Sequence, residues 1–280
     1  MKKIVSILRL KEIIGKTGFF LVGILFANPS ISERNIFIGV EFFCLCILNG
    51  ISIYLINAGF GYADDRDNVR LKSMSSTDST KLLVAGFVLL SVSLLLLTLF
   101  CYDLFLPAVG VYTIWILYSM PRGLKGSPLM GLVSAFTAQI LHFYIGYRVF
   151  SDWSLHAFLI SIYFSFLFAA GHALHEVIDF DADRIANIRT SAVVFGKRKL
   201  WIATHVLFAL AFGYLITLMI VGIISWRVAL PYVLAFALQS WFYIKLPSIP
   251  DGEELFGYRR KYMIAWLLAT VAVTGLMYWK

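Results

Sequence analysis

Residues 81–102 read KLLVAGFVLLSVSLLLLTLFCY, an apolar run in which only Lys81 carries a charge. A helix needs about 20 such residues to cross the hydrocarbon core of a bilayer. Comparable runs recur along the 280 residues, of which 60% are hydrophobic and only 14% charged. Soluble domains usually carry about a quarter charged residues. So few charges cannot cover so apolar a core in water, and the sequence therefore predicts an integral membrane protein surrounded by lipid.

The apolar runs predict an all-α fold with about nine transmembrane helices in a bundle, forming a single domain over residues 1–280. The predicted spans lie near 15–28, 36–58, 81–102, 104–120, 129–147, 154–175, 200–223, 226–246 and 262–279. The segment from Met1 to Lys16 holds five basic residues, and no small-residue cleavage site follows it. We therefore expect no cleaved signal peptide, so that the first span stays in the membrane.

The basic residues are distributed unevenly between the two sides of the predicted bundle. Of the 24 Lys and Arg residues, all but four lie on the side that holds the N-terminus. The loops assigned to that side lie near 59–80, 121–128, 176–199 and 247–261. Because cytoplasmic loops carry an excess of Lys and Arg, this side is predicted to be cytoplasmic. Topology and anionic lipid headgroups explain the net charge of +8, which therefore implies no nucleic acid, and no partner protein is implied.

The 16 acidic residues are concentrated, because seven of them fall in two short windows, residues 57–68 and 175–184. The windows follow the second and the sixth predicted spans, so both are predicted to lie in cytoplasmic loops and can face each other across the bundle. A solvated loop is the alternative interpretation of each window. Two such windows on one side of the membrane, both with helical spacing, favour a shared site.

The spacing within the windows indicates a site for a divalent cation. Glu176, Asp179 and Asp183 stand at i, i+3 and i+7, which places them on one helical face. Such like charges repel by a few tenths of a kcal/mol per pair, and a cation would offset this repulsion. Carboxylate and amide oxygens suit Mg²⁺. The candidate ligands in the two windows are Asn57, Asp64, Asp65, Glu176, Asp179 and Asp183.

The two windows are also in register along the chain. Asp65 and Asp183 are 118 residues apart, as are Asn57 and His175. Some membrane folds consist of two parallel halves related by an axis along the membrane normal. This register predicts two such pseudo-halves, covering about residues 1–128 and 129–280.

The second window reads Glu176-x-x-Asp179-x-x-x-Asp183 and is followed by Arg184, Ile188-Arg189-Thr190 and Gly196. This arrangement resembles the DxxDxxxD…(K/R)T…G loop of the UbiA superfamily of intramembrane prenyltransferases, with Glu in the first position. Members of that family join an isoprenoid diphosphate to an acceptor inside the membrane.

The first window resembles the family's other acidic motif, roughly NDxxDxxxD, less closely. Asn57, Asp65 and Asn68 fit its Asn, its last Asp and the Asn that follows. Gly61 occupies the position of the middle Asp, and Asp64 offers a carboxylate from a neighbouring turn. The missing middle Asp affects the expected reaction more than the expected fold.

A third match is the segment Tyr118-Ser119-Met120-Pro121 with Lys125 four residues further on. It is similar to the YSxP…K loop after the family's fourth helix. In helix count and loop order, the resemblance covers nearly the whole chain. It implies a Mg²⁺-dependent enzyme that transfers a prenyl group from an isoprenoid diphosphate to a hydrophobic or aromatic acceptor and releases pyrophosphate.

The resemblance also implies a role for each matching residue. Mg²⁺ acts as a Lewis acid on the diphosphate, and cationic side chains complement the charge that develops on the leaving pyrophosphate. The implied catalytic residues are Asp65, Asp179, Asp183 and Lys125. The implied substrate-binding residues are Asn57, Asn68, Lys72, Tyr118 and Arg189, and His172 is a further candidate because it lies near the same end of the sixth predicted span. Aromatic faces that could stabilise an allylic cation belong to Tyr54, Tyr62 and Tyr118.

Two other functions stay open at the level of sequence. A terpene cyclase of the UbiA type would ionise a prenyl diphosphate without an external acceptor, and the altered first motif suits such an enzyme. A transporter or other non-enzymatic membrane protein is less favoured, because the polar groups collect at the cytoplasmic ends of the spans. Gln139 and His142 are exceptions at membrane depth, and both are candidates for contact with substrate.

Overall fold

The computed structural model describes residues 10–27, 30–64, 76–121, 123–246, 250 and 252–278. All regular structure within these residues is helical. The α-helices are α1 (Leu10–Ala27), α2 (Glu33–Asp64), α3 (Ser76–Phe100), α4 (Phe105–Ser119), α5 (Met130–Arg148), α6 (Leu155–Ile178), α7 (Phe180–Ile185), α8 (Ser191–Phe195), α9 (Lys197–Ile220), α10 (Trp226–Ile244) and α11 (Gly252–Tyr278). Short 3₁₀ turns occupy Tyr102–Leu104 and Leu124–Gly126.

The predicted all-α membrane fold is confirmed, whereas the number of nine spans is not. Nine of the described helices have 15 or more residues, and they follow the nine predicted spans in order. By length and apolar composition, six segments of the described chain could cross a membrane. They comprise α2, α3, α4 with the turn before it, α6, α9 and α11. The other three long helices are α1, α5 and α10.

Large apolar side chains remain exposed along the outer faces of the helices. In α3, the side chains of Val84, Val88, Leu95 and Leu99 are all more than half exposed. Their spacing places them on one face of the helix. Soluble proteins rarely expose so long an apolar strip to water. These faces are therefore the lipid-facing surface of the bundle.

Local sequence explains where several helices begin. The Ser154 hydroxyl accepts a hydrogen bond from the backbone N–H of Ala157 at 3.2 Å, which caps α6. The Ser225 hydroxyl accepts one from Val228 at 3.4 Å, which caps α10 in the same way. Gly196 has a φ of 95°, a backbone conformation that favours glycine, and the chain turns there from α8 into α9.

The helix α6 lies at the centre of the bundle and carries the second acidic motif at its end. It packs against α5 and α9 and also contacts α1, α11 and the short helices α7 and α8. Helix α5 in turn packs against α1 and α4, and α2 packs against α3. Because α5 packs against both α4 and α6, the loops that follow α4 and α6 lie at the same end of the bundle.

Six of the long helices begin at two sets of positions separated by a nearly constant interval. Helices α2, α3 and α4 begin at residues 33, 76 and 105, and helices α6, α9 and α10 begin 122, 121 and 121 residues later. The division into halves near 1–128 and 129–280 stays a prediction.

Candidate active site

The second acidic motif lies where α6 passes into α7. The backbone N–H of Asp179 bonds to the carbonyl of His175, and that of Asp183 to the carbonyl of Asp179, both at 2.9 Å. These two bonds close the last turn of α6 and the first turn of α7, and Asp179 between them has φ −83° and ψ 1°, outside the helical conformation. The predicted common face is divided, because Glu176 and Asp183 are buried at 6% and 5% exposure while Asp179 is exposed.

An ion pair links this motif to the loop after α4. The Lys125 ammonium lies 3.4 Å from a carboxylate oxygen of Asp183. The Asp183 side chain is 7% exposed and that of Lys125 is 34% exposed. A buried carboxylate needs a cationic or hydrogen-bonding partner, and Lys125 supplies one while the rest of its side chain reaches water. The structure thus joins two of the residues that the sequence assigned to catalysis.

A second group of predicted residues meets one turn deeper in the bundle. The Tyr118 hydroxyl lies 3.5 Å from His172 Nε2, and the same nitrogen lies 3.8 Å from Glu176 Oε1. Tyr118 also lies close enough to Asp179, Asp183 and Glu176 to interact with their charges. A hydroxyl and an imidazole therefore stand between the carboxylates and the apolar interior.

An aromatic column extends from this group into the membrane. The ring of Tyr118 lies 5.6 Å from that of Trp115, which is stacked 6.4 Å from that of His142. Phe20 of α1 follows, 4.5 Å from His142. Gln139 is fully buried beside His142, with His142 Nδ1 3.4 Å from its Oε1. The column is largely buried and rich in π-systems, which can stabilise a cation.

Several predicted residues belong to the end of α2 and the segment that follows it. Asn57 is half-buried in α2, and Tyr54, one turn earlier, is buried. Within the described part of the chain, Asn57 makes no hydrogen bond or ion pair with the second motif. Asp64 ends α2, but its side chain lies outside the described part of the chain. The predicted residues outside the described ranges are Asp65, Asn68 and Lys72.

Arg189 is exposed between α7 and α8. The predicted residues that the structure brings into one region are Tyr118, Lys125, His172, Glu176 and Asp183.

The second acidic motif offers carboxylates that could hold a cation. Across the described residues, no group of three or more His, Cys, Asp or Glu side chains is arranged to hold a metal ion. Asp179 and Asp183, one helical turn apart, nevertheless offer hard oxygen donors of the kind that Mg²⁺ prefers together with water and phosphate oxygens. The donor chemistry of this pair therefore fits Mg²⁺, with further ligands expected from the first motif.

Sequence reasoning missed two glycines that shape the site. A Cβ on Gly131, at the start of α5, would lie 2.9 Å from Glu176 Oε1 and 3.2 Å from His172 Nε2. A Cβ on Gly123 would overlap the carbonyl oxygen of Leu117. A glycine next to a motif loop is a usable signal, because it often marks a close approach of the backbone to another group.

Comparison with known proteins identifies related sequences and folds. The sequence model of the UbiA prenyltransferase family matches residues 17–268. No curated protein matches the sequence. A UbiA homologue from Archaeoglobus fulgidus bound to DMAPP and Mg²⁺ has a similar structure, with 16% identity, coverage of 97% of this chain and 99% of that chain, and a TM-score of 0.75.

Two further solved structures share the fold. A digeranylgeranylglyceryl phosphate synthase is 15% identical, covers 99% of this chain and 98% of its own, and has a TM-score of 0.71. An apo UbiA homologue from Aeropyrum pernix K1 is 18% identical, with coverage of 94% and 98% and a TM-score of 0.63. At these identities, the likeness establishes a common fold.

Proposed function

Because this chain belongs to the UbiA prenyltransferase family, we propose that it transfers a prenyl group from an isoprenoid diphosphate to an acceptor within the membrane and releases pyrophosphate. The proposed acceptor is a hydrophobic or aromatic molecule dissolved in the bilayer. The proposed site faces the cytoplasm, because most basic residues lie on that side. Related structures bound to DMAPP or GPP together with Mg²⁺ support the choice of a prenyl diphosphate and of this metal.

The buried Asp183–Lys125 ion pair is the observation that carries this proposal. It places a cation beside a carboxylate after the end of α6, next to the exposed Asp179. A diphosphate needs both kinds of group, since a cationic side chain binds its oxygens directly and the carboxylates hold the metal that bridges to it. A solvated loop would not bury Asp183, which argues against the alternative interpretation of this window.

We assign metal binding and pyrophosphate binding to different residues of the chain. Asp179 and Asp183 would hold Mg²⁺ with Asn57 and Asp65, and the bound metal would polarise the diphosphate as a Lewis acid. Lys125 lies where it can bind an oxygen of the leaving pyrophosphate. The proposed roles of Arg189, Lys72 and Asn68 are to bind the same group from flanking segments.

The aromatic column accounts for the protection of the reactive carbon. Trp115 is buried, and Tyr118 next to it lies at the level of the carboxylates. The π-faces of these side chains can stabilise an allylic cation. The packed helices around them exclude water, which would otherwise capture that cation. The acceptor would then attack the cation and lose a proton.

Pyrophosphate release by the purified protein in detergent or vesicles tests this function. The assay compares a panel of prenyl diphosphates with and without phenolic acceptors, each with Mg²⁺ and after chelation by EDTA. We expect release that requires both an acceptor and Mg²⁺, and that returns when Mg²⁺ is added back. Release without any acceptor would instead favour the cyclase, whose product could be identified by mass spectrometry. No release with any diphosphate, and no binding of one, would contradict both enzymes.

The loop that carries Lys125 permits a matched pair of variants. We expect Gly123→Ala to slow pyrophosphate release by up to about 100-fold, the loss that a misplacement of about 1 Å can cause. The reason is steric, because the added Cβ would overlap the carbonyl oxygen of Leu117 and approach that of Met120 at 2.7 Å. Gly126→Ala is the control, since nothing lies within 4 Å of a Cβ at Gly126. Equal rates in the two variants would contradict the proposed placement of Lys125.

A further inference from the structure

The carboxylate of Glu176 is buried, and each of its oxygens has a polar neighbour on the protein. Oε2 accepts a hydrogen bond from the backbone N–H of Ala192 at 3.3 Å, and Oε1 lies 3.8 Å from His172 Nε2. Glu176 itself is 6% exposed. Burial of a carboxylate is costly unless such partners replace water. These contacts indicate a use for Glu176 other than holding a metal ion.

The contact with Ala192 acts as a helix cap, in which the acceptor comes from another helix and not from the N-cap residue. Ala192 is the second residue of α8, so the helix itself cannot satisfy its N–H. The N-cap residue usually supplies an acceptor, but the side chain of the N-cap Thr190 makes no such bond. The buried Thr190 hydroxyl has no hydrogen-bond partner within the described residues. Glu176 therefore provides, from α6, the acceptor that Thr190 does not.

Ser191 extends this connection to the segment between α4 and α5. Its hydroxyl accepts a hydrogen bond from the backbone N–H of Leu129 at 3.1 Å, and the next residue, Ala192, donates its N–H to Glu176. Leu129 has a φ of 65°, a left-handed conformation that is costly for a residue with a Cβ. The bond from Ser191 helps to hold this unfavourable conformation four residues after Lys125.

We propose that Glu176 is a positioning residue, which fastens two diphosphate-binding segments to the end of α6. One segment is 189–195, which begins with Arg189, and the other is the connection that carries Lys125. This inference rests on the proposed function. It replaces the metal-ligand role that the sequence assigned to Glu176, and it leaves Asp179 and Asp183 as the proposed ligands of the second motif.

Three variants separate positioning from metal binding. Glu176→Gln keeps an oxygen that can accept the Ala192 N–H and removes only the charge. We expect it to bind Mn²⁺ in the presence of inorganic pyrophosphate within about threefold of the unchanged protein, as measured by electron paramagnetic resonance. Glu176→Ala removes the acceptor for the Ala192 N–H, and Ser191→Ala removes the acceptor for the Leu129 N–H. We expect amide hydrogen exchange of residues 190–195 to become roughly five- to tenfold faster in both.

The kinetic signature should match a positioning role. We expect Glu176→Ala to raise KM for the prenyl diphosphate by a larger factor than it lowers kcat, because the binding segments are displaced while the metal ligands remain. Ser225→Ala is the matched control, since it removes the similar cap at the start of α10. It should leave exchange at 190–195 unchanged. If Glu176→Ala fails to fold, Ser191→Ala carries the exchange measurement.

Two results would overturn the inference. In the first, Glu176→Gln loses Mn²⁺ binding as completely as Asp183→Asn while residues 190–195 keep their protection, which would make Glu176 a metal ligand. In the second, exchange at 190–195 is unchanged in both Glu176→Ala and Ser191→Ala. Failure of the proposed function can be distinguished from failure of this inference. In that case the unchanged protein would release no pyrophosphate, whereas amide exchange at 190–195 would still show whether Glu176 holds this segment.

Discussion

We expect the Asp183→Asn variant to release pyrophosphate at least about 100-fold more slowly than the unchanged protein, because several kcal/mol of charge stabilisation are lost. Asp183 is 5% exposed and is paired with Lys125 at 3.4 Å. Asn has nearly the same shape, so the change removes the charge that would hold Mg²⁺ and orient Lys125 without leaving a cavity. Asp179→Ala should have a similar effect, since Asp179 is the other proposed ligand in this motif.

Asp181 provides a matched control two residues away. Its side chain is 70% exposed and lies 3.6 Å from the 65% exposed guanidinium of Arg184. Exposed ion pairs of this kind contribute at most ~1 kcal/mol to stability. We therefore expect Asp181→Asn to keep its rate within about twofold. Full activity of both Asp179→Ala and Asp183→Asn would contradict the proposed site. Equal losses in Asp181→Asn and Asp183→Asn would indicate a general effect of charge on this loop.

The second large effect concerns the fold and is expected at Gly146, where α1 crosses α5. A Cβ on Gly146 would overlap the carbonyl oxygen of Phe20 and lie 2.8 Å from its carbonyl carbon. A Cβ on the facing Gly23 would likewise overlap the carbonyl oxygen of Phe143. Membrane helices often associate through such small residues, which let their backbones approach closely. We expect Gly146→Leu to separate α1 from α5 and to yield little folded protein.

Size-exclusion chromatography and thermal unfolding in detergent measure this effect. The same substitution at Gly213 is the control, because nothing lies within 4 Å of a Cβ there and the residue is exposed on α9. Replacing a glycine within a helix can even stabilise it by up to ~1 kcal/mol. Gly213→Leu should therefore fold normally. A normal yield and an unchanged unfolding midpoint for Gly146→Leu would show that the α1–α5 crossing can relax.

The prediction of the membrane helices from sequence was largely successful for a simple reason. Apolar length and helical spacing are properties of contiguous residues, so a run such as 81–102 identifies α3 without reference to the rest of the chain. The acidic windows were located by the same local information, and the family resemblance is confirmed by the match over residues 17–268. The environment of the individual carboxylates could not be predicted in this way. Spacing placed Glu176, Asp179 and Asp183 on one face, but their burial depends on what packs against that face.

The sequence alone therefore determined the class of the protein, the positions of its helices and the residue types available for chemistry. Only the tertiary structure decided the pairing of those residues, such as Lys125 with Asp183 and Glu176 with Ala192. It also revealed the need for glycine at positions 123 and 131. The physical reason is that hydropathy and helical periodicity act between neighbours in the chain. Lys125 and Asp183, by contrast, are 58 residues apart in the chain, and the packing of whole helices brings them together. A single sequence does not reveal such a long-range pair.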